Sequence, residues 1–261
     1  MISLNQIEFK NLKRTLNKNN ITCPTFVYSI LDCYIQGTVY VDSTSQKSVL
    51  IGTKSGIYFV GGEVDNLDFN NFLFELYRYK KNNKSRFTLF SSSSKWNCAI
   101  MSQFKEEIKQ RSRFSFNYNF DKEIDKTILQ SSEYSIKKIN AEIIKNSLEF
   151  NEAYYKEYWG STSNFLKNGF GFSILHNERL ISECSSIFSS QEFAEIDIFT
   201  HKDYRGKGLA NIIATSFIEY CLKNSIVPKW DCDVTNKSSI NLAGKLGFVE
   251  PVEYSIFVYK N

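Results

Sequence analysis

The order of its strand and helix patterns restricts the fold of this 261-residue chain more than any other feature of the sequence. In the second half, three short stretches rich in β-branched and aromatic residues follow one another, and turn residues bound each of them, as is typical of strands. The predicted elements are strands at residues 170–175, 179–189 and 192–200, a helix that ends near residue 223, a strand at 226–234, a helix at 236–247 and a strand at 252–260. This order predicts an α+β fold built around a mixed sheet.

The first half shows the same order of patterns. Its predicted elements are strands at residues 37–42, 48–53 and 56–62, a helix at 67–81 with Asp68 as its cap, a strand at 86–90, a helix at 94–110 and a strand at 111–120. Two interpretations stay open: an internal duplication whose first copy has lost its site, or an order that any α+β chain could present. We place the boundary in the polar stretch 121–133, which predicts an N-terminal α/β domain at residues 1–125 and a second domain at 126–261. The second domain would begin with a strand at 134–140 and a helical region at 141–167.

Charge and composition exclude several classes of protein. The formal net charge is +4, and Lys and Arg are interspersed with Asp and Glu without a long basic block, so we expect no nucleic-acid partner. No stretch approaches the roughly 18 apolar residues of a membrane span, and the first residues lack the apolar core of a secretion signal, so we expect a cytoplasmic chain with no membrane partner. The six cysteines form no CxxC pair and neither histidine completes a ligand cluster, so we expect no metal site.

A glycine turn lies between the third strand of the second half and the helix that follows it, in the stretch YRGKGLA at residues 204–210. The first turn of a helix has about four backbone N–H groups without intrahelical partners, and the helix dipole adds positive charge at that end. Gly206 and Gly208 carry no side chain that would keep an anion away from these groups, and Ala210 carries the next smallest one. Arg205 and Lys207 add two positive charges. The turn therefore predicts a site for a di- or triphosphate, although its spacing alone is also compatible with an ordinary tight loop.

Two motifs resemble those of the GNAT superfamily of N-acetyltransferases. Arg205, Gly208 and Ala210 match the pyrophosphate signature of that family, Gln/Arg-x-x-Gly-x-Gly/Ala, between a strand and a helix. The stretch NKSSINLAGKLGF at residues 236–248 resembles the family's pattern Asn-x-x-Ala…Tyr-x-Lys-x-Gly-Phe. The resemblance covers residues 134–260. Less specifically, nearly the whole chain resembles the bacterial subgroup related to zwittermicin A resistance acetyltransferases, in which a GNAT-like half precedes the catalytic domain.

The resemblance implies acetyl-CoA as co-substrate, in a V-shaped gap between the strand that ends at Thr200 and the strand that ends near Cys232. The pantetheine amides would pair with the backbone of the first strand, as an added strand would, and the pyrophosphate would lie on the glycine turn. The implied cofactor-binding residues are Ile198, Phe199 and Thr200 on the strand, Arg205, Gly206, Lys207, Gly208, Leu209 and Ala210 in the turn, and Asn236 near the pantetheine arm.

Acidic residues on the strand before the turn are the expected catalytic groups, because an amine nucleophile must lose a proton. Glu195 and Asp197 are two residues apart and therefore point to the same face of that strand, which opens either to the gap or to solvent. Glu183 on the neighbouring strand is a weaker candidate.

An aromatic face is predicted on the helix that precedes the three strands of the second half. Its members are Tyr154, Tyr155, Tyr158 and Trp159. Two interpretations stay open: packing in the core or, by the resemblance, a border of the acceptor site.

The residue expected to protonate the leaving thiolate departs from the family pattern. Many members place a tyrosine where this chain has Ala243, so Tyr254, Tyr259 or solvent would have to take that role. The expected function is transfer of acetyl from acetyl-CoA to the primary amine of a small molecule, antibiotic-like by the resemblance, by a monomer or a homodimer. A noncatalytic CoA-sensing module is the alternative that the missing tyrosine favours, and an acyltransferase for longer acyl chains is another.

Overall fold

The computed structural model describes residues 1–122 and 133–260. These residues form two compact units: unit 1 contains Met1–Arg113 and residues 253–260, and unit 2 contains the described residues between Phe114 and Val252. The predicted boundary between residues 125 and 126 lies outside the described residues, so the division into two domains at that point stays a prediction.

Unit 1 is built on a mixed sheet. Its helices are α1 (Gln6–Lys18), α2 (Thr25–Leu31), α3 (Leu67–Asn82) and α4 (Ser94–Phe104), with a 3₁₀ turn at Lys105–Glu107. Its strands are β1 (Ile2–Ser3), β2 (Gly37–Val41), β3 (Ser48–Thr53), β4 (Ile57–Gly62) and β5 (Thr88–Ser91), and β6 (Ile108–Tyr118) begins in this unit and ends in unit 2. Strands β1 to β4 pair antiparallel in chain order, and β4 pairs parallel with β5.

Unit 2 repeats this order of elements. Its helices are α5 (Ala141–Asn146), α6 (Glu152–Trp159), α7 (Thr162–Asn168), α8 (Leu209–Lys223) and α9 (Lys237–Lys245), with a 3₁₀ turn at Lys202–Tyr204. Its strands are β7 (Tyr134–Lys138), β8 (Gly171–His176), β9 (Arg179–Ser189), β10 (Phe193–Thr200) and β11 (Val227–Asp233), and the last strand, β12 (Phe248–Tyr259), begins in this unit and ends in unit 1. Strands β7 to β10 pair antiparallel in chain order, and β10 pairs parallel with β11.

The sheet of unit 2 has an apolar face and a polar face. Helix α8 packs on the apolar face, because its buried residues Leu209, Ile213 and Phe217 recur every four positions and so share one side of the helix. Ala194 and Ile196 of β10 join the same core cluster. Successive side chains of a strand alternate between faces, so Glu195, Asp197 and Phe199 on β10 point to the opposite side, where α6 packs on the sheet.

The α+β fold that the sequence patterns predict is confirmed, and the predicted helix at residues 94–110 is too long. Helix α4 ends at Phe104, Lys105 takes a φ of +48°, and a strand has begun by Ile108. A tight turn joins β8 to β9. Asn177 and Glu178 both have positive φ, +48° and +64°, which are the values of a two-residue hairpin turn whose twist matches its strands.

The cap predicted for α3 is also corrected. Asn66, not Asp68, is the N-cap residue, and its side-chain oxygen accepts a hydrogen bond from the N–H of Phe69 at 3.0 Å. Asp68 is the second residue of the helix, where its negative charge interacts with the positive end of the helix dipole but caps no backbone donor. Asparagine and aspartate both favour the start of a helix, so the sequence pattern predicts where the helix begins but not which of the two residues caps it.

We therefore expect Asn66→Ala to lower the free energy of unfolding by about 1 kcal/mol, because it removes the acceptor for one backbone donor. Asp68→Ala, the matched control, should lower it by roughly 0.3–1 kcal/mol at low salt and by less at high salt, since only a screened charge–dipole interaction is lost. Urea unfolding at two salt concentrations measures both. A larger loss for Asp68→Ala that persists at high salt would contradict the assignment of the cap.

Candidate functional site

The glycine turn enters α8 through two left-handed residues. Gly206 and Gly208 have φ of +75° and +77°, and Gly208 is the N-cap residue of α8. A Cβ atom built at either position meets no protein atom within 4 Å, so both positions face open space. Residues with side chains adopt such φ values only at a cost, which explains why glycine occupies both positions.

The backbone donors of this turn are unpaired. The N–H groups of residues 206–210 have no acceptor among the described residues, and no side chain caps α8. Most of the other described helices begin with an N-cap side chain that accepts from their first turn; these caps are Asn5, Asn66, Ser93, Asn140, Asn151, Ser161 and Asn236. Five adjacent donors at the positive end of a 15-residue helix are a site for an anion with several oxygens.

The predicted basic residues surround this row of donors. Arg205 is exposed, and its Nε donates to the carbonyl oxygen of Thr200 at 3.1 Å, which holds the guanidinium beside the turn. The Nζ of Lys207 lies 4.8 Å from the ring centroid of Tyr204, within the range of a cation–π contact. The hydroxyl of Tyr204 is in turn 3.2 Å from Nδ1 of His176 in the β8–β9 hairpin. The turn is therefore fixed from the protein side, while its charges stay at the surface.

Strand β10 separates from β11 immediately before the turn. Their parallel pairing covers three residue pairs and ends where Glu195 lies opposite Lys229. The pairing of β10 with β9 continues to Thr200, with a register shift after Glu195 that leaves one extra residue on β9. The last five residues of β10 therefore have a strand partner on one side only among the described residues. Ile198, Phe199 and Thr200, which the sequence analysis assigns to pantetheine, lie in this part of the strand.

Asn236 lies after β11, at the start of α9, as predicted. Its Oδ1 accepts from the N–H of Ser239 at 3.1 Å and from the hydroxyl of Ser238 at 2.8 Å. The oxygen of this side chain is therefore committed to capping α9, and only the amide NH₂ group remains for a ligand.

The two predicted acidic residues lie together on the polar face of the sheet. Asp197 is half-buried, and its Oδ2 accepts from the hydroxyl of Tyr154 on α6 at 2.9 Å. Burial and the charge of Asp197 hold the pKa of Tyr154 well above its ordinary value, so this tyrosine stays a neutral donor. Glu195 lies opposite Lys229, whose pKa burial lowers, although the charges of Asp231 and Glu195 raise it. The face is accordingly acidic, with one partly compensating lysine.

Glu183, the weaker candidate in the sequence analysis, is the most buried of the three acidic residues. It is 3% exposed, and its Oε2 accepts from the hydroxyl of Ser147 at 2.8 Å. Its Oε1 is buried and makes no hydrogen bond of standard length among the described residues, but the hydroxyl of Ser173, which is buried in the same way, interacts with this carboxyl group and lowers its pKa. Burial raises the pKa of this carboxyl to about 7. The only sequence signal was a glutamate flanked by small residues, in the run Ser182 to Ser186 of a central strand.

The aromatic face of α6 packs in the core, as one of the two interpretations predicted, and a border of the acceptor site stays a prediction. Tyr155 and Trp159 are buried core residues, and their polar atoms bond to β9, Tyr155 to Ser185 and Trp159 to the carbonyl oxygen of Ser186, both at 3.0 Å. Tyr154 instead directs its hydroxyl to Asp197, so one side of the helix is core and the other contributes to the polar face.

The residue at the usual position of the general acid is an alanine, and the hydroxyl groups of the two tyrosines considered in its place both make hydrogen bonds within the protein. Ala243 is buried in the core of unit 2. Tyr254 and Tyr259 belong to unit 1, where the hydroxyl of Tyr254 accepts from Nε of Arg113 and that of Tyr259 donates to the carbonyl oxygen of Ser85, both at 3.0 Å. Burial raises the pKa of Tyr259 to about 12.

Neither a metal cluster nor a membrane span is found in the part of the chain that the structure describes. No group of three or more His, Cys, Asp or Glu side chains there is placed to hold a metal ion. Within the same residues, no helix combines the length and the apolar character that crossing a membrane requires.

A splayed parallel strand pair with an open edge and an uncapped helix entered through glycines form a site for an extended ligand that carries an anionic group. Comparison with known proteins gives the family: a model of the GNAT acetyltransferase family matches residues 13–257, and the chain belongs to this family. It is an acyltransferase of the N-acetyltransferase type, and membership of the family implies the use of acetyl-CoA.

Three relatives illustrate the match. The chain is 48% identical over 236 residues, 90% of each protein, to YdfB, an uncharacterized N-acetyltransferase of Bacillus subtilis strain 168. A GCN5-related N-acetyltransferase-like protein of Streptococcus suis has a similar structure, with a TM-score of 0.72 and 23% identity over 97% of this chain and 98% of its own. A tandem GNAT protein from the clavulanic acid biosynthesis pathway has a TM-score of 0.64 and 13% identity over 99% of this chain and 97% of its own. At these identities the two structures support the fold alone.

The buried carboxyl of Glu183 leads to a prediction about stability. The folded chain keeps the Glu183 proton up to about pH 7, and the unfolded chain keeps it only up to the ordinary value of 4.5, so the folded chain binds more protons between these two values. The stabilisation is complete below pH 4.5 and is lost as the pH rises through 7. Between pH 5 and pH 8 we expect the wild type to lose on the order of 2 kcal/mol relative to Glu183→Gln.

Urea unfolding of both proteins at pH 5 and pH 8 measures this difference. Glu142→Gln, which changes an exposed glutamate in the first turn of α5, is the control and should follow the wild type at both pH values. Parallel pH dependences for the wild type and Glu183→Gln would show that the carboxyl does not titrate in this range.

Proposed function

We propose that the chain transfers the acetyl group of acetyl-CoA to the primary amine of a small molecule. The observation that carries the proposal is the row of unpaired N–H groups at residues 206–210, immediately after the half-paired end of β10. These two features supply the two kinds of backbone contact that coenzyme A needs, donors for its pyrophosphate and a strand edge for its pantetheine amides.

The turn fits the pyrophosphate in charge and in shape. Gly206 and Gly208 carry no Cβ, and the space that a Cβ would occupy at either position is free of protein atoms. The guanidinium of Arg205 and the ammonium of Lys207 stand beside them, and hydrogen bonds to charged groups contribute roughly 1.5–3 kcal/mol each. Asn236 would contribute through its NH₂ group, because its oxygen caps α9.

The polar face of the sheet fits a cationic acceptor. Glu195 and Asp197 on β10 point to this face, and so does Asp231 on β11, because its neighbours Trp230 and Cys232 are buried in the core on the other side. A primary amine is positively charged at neutral pH, so an acidic face attracts it and orients it. Positioning of the amine and polarisation of the thioester carbonyl then supply most of the rate gain.

The substrate class and the role of unit 1 belong to the same proposal. We assign the chain to the subgroup related to zwittermicin A resistance acetyltransferases, with an antibiotic-like amine as acceptor, a cytoplasmic location, and a monomer or homodimer without nucleic-acid or membrane partners. Unit 1 would be a degenerate copy. In support, Asn66 caps the helix equivalent to α8, and the strand pair equivalent to β10 and β11 stays together over four residue pairs, from Ile57 with Thr88 to Val60 with Ser91.

A turnover screen tests the proposal. The chain is mixed with acetyl-CoA and a panel of primary amines, including aminopolyols, diamines and amino acids, and thiol release is recorded. We expect release with some members of the panel. Binding of acetyl-CoA without turnover would instead indicate a noncatalytic CoA-sensing module, and faster turnover with longer acyl-CoA thioesters would indicate another acyl donor.

Gly208→Ala should raise the acetyl-CoA KM by about tenfold or more, because a methyl group would stand before the donors and weaken at least one hydrogen bond to a charged group. Gly160→Ala is a closely matched control: Gly160 follows α6 with a φ of +78°, and a Cβ there also meets nothing within 4 Å. Both variants should lose similar stability, about 1 kcal/mol, from left-handed strain. Equal KM values in the two variants would refute the placement of the pyrophosphate.

A further inference from the structure

Glu183 has one oxygen that is held and one that is not. The hydroxyl of Ser147 donates to Oε2 at 2.8 Å and itself accepts from the N–H of Phe150 at 2.9 Å, so the carboxyl group is fixed by the segment between α5 and α6. Oε1 is buried and makes no hydrogen bond of standard length among the described residues, and the hydroxyl of Ser173 on β8, which also lacks one, is the polar group that interacts with it. A buried oxygen without a hydrogen bond of standard length costs free energy, and such groups in native proteins call for an explanation.

Its place in the sheet puts this carboxyl beside the candidate site. Glu183 on β9 lies opposite Phe199 on β10, and the next pair on the same face is Ser185 with Asp197. Neighbouring strands are about 4.8 Å apart, so Glu183 stands one strand spacing from the strand whose free edge is assigned to pantetheine. It therefore shares a face with Asp197 and lies behind it, away from solvent.

We propose that Glu183 is the proton acceptor for the acceptor amine, acting through one intervening hydroxyl or water, and that its Oε1 is the atom that receives the proton. This inference rests on the proposed function, since it assigns a role within the same site. Because Glu183 is buried, it acts through another group and is a positioning residue rather than a residue in contact with the substrate.

The surroundings of Glu183 suit this role. Burial raises its pKa to about 7, the hydrogen bonds from Ser147 and from Ser173 on β8 lower it, and the charge of Glu149, from the segment between α5 and α6, raises it. A base is most effective when its pKa lies near the operating pH. Tyr155 from α6 and Cys184 from the same strand also interact with its charge, and Asp197 acts on Tyr155.

Glu195 is less suited to the same role. It lies directly across the parallel strand pair from the ammonium of Lys229, and this cation interacts with its charge. The charge of Glu195 thus already has a cationic neighbour, and it contributes to the acidic face that attracts the amine.

The step balances without a further reactant. The ammonium R–NH₃⁺ gives one proton through the intervening group to Glu183, which becomes the neutral acid. The nitrogen lone pair forms the C–N bond with the acetyl carbon, and the C–S bond breaks with its electron pair on sulfur. A second proton leaves the nitrogen and neutralises the thiolate, and Glu183 then releases its proton to solvent.

The pH dependence of kcat/KM tests the assignment with the amine that gives the fastest thiol release in the screen. The wild type should show an acid limb, with the rate falling as the pH drops through about 7, because the carboxylate is the active form. Ser147→Ala should move this limb to higher pH, because it removes a hydrogen bond that lowers the pKa. Glu183→Gln should abolish the limb and reduce kcat by about a hundredfold or more. A limb that persists unchanged in Glu183→Gln would overturn the proposal.

A second nucleophile separates proton transfer from a structural effect. Hydroxylamine is largely uncharged at neutral pH and has no ammonium proton to lose. The deficit of Glu183→Gln should therefore be at least about tenfold smaller with hydroxylamine than with the amine. Equal deficits with both nucleophiles would mean that the substitution damages the site in general and would overturn the proposal.

Infrared difference spectra between pH 6 and pH 8 give a readout that needs no acceptor. The wild type and Glu142→Gln should lose the C=O band of a protonated carboxylic acid over this range, and Glu183→Gln should lack that change. Absence of the band from the wild type overturns the inference whatever the amine screen gives. Acetyl-CoA binding without turnover of any amine, with the band present, is instead the result by which the proposed function fails.

Discussion

The end of pairing between β10 and β11 is the constraint on which the rest of the site depends. Two parallel strands that separate after three residue pairs leave backbone donors and acceptors that the sheet no longer satisfies. Such groups are stable only if water or a ligand meets them, so the separation creates a binding edge by its geometry. In unit 1 the corresponding pair stays together over four residue pairs, so all of β5 is paired with β4. The same order of elements thus leaves a longer open strand edge in unit 2 than in unit 1.

The glycine turn leaves backbone N–H groups unsatisfied at the start of a helix, as the separated strand does along its edge. Most helices in the described chain satisfy their first N–H groups with a serine or asparagine side chain, and α8 does not. Leaving out the cap costs about 1 kcal/mol, and two left-handed residues add a loss of backbone entropy. A chain selected only for stability would have capped this helix. The cost is explained if a ligand supplies the missing acceptors, since several hydrogen bonds to a charged pyrophosphate more than offset it.

Local patterns were enough to predict the fold and the glycine turn, because both follow from residues close together in sequence. β-branched runs gave the strands, and Gly206 and Gly208 gave the turn, since few other residues adopt these φ values. Features that depend on distant contacts were missed. Helix α4 ends before Lys105, because the residues that follow form a strand. Glu183 is held by a hydrogen bond from Ser147, which is 36 positions away in sequence. No local pattern distinguishes a buried glutamate from an exposed one in a strand.

Two carboxyl groups on one sheet face can take different roles when their surroundings differ. Asp197 receives a hydrogen bond from Tyr154 and is half-buried, so it can hold a cation at the surface of the site. Glu183, one strand further in, accepts from Ser147 through one oxygen, and the hydroxyl of Ser173 interacts with the same carboxyl group. Burial makes a lone carboxylate costly, and the cost falls when it takes up a proton. In the proposed reaction, a group that gains stability by protonation, on the same face as one that attracts ammonium ions, lowers the free-energy cost of moving a proton from the amine into the protein.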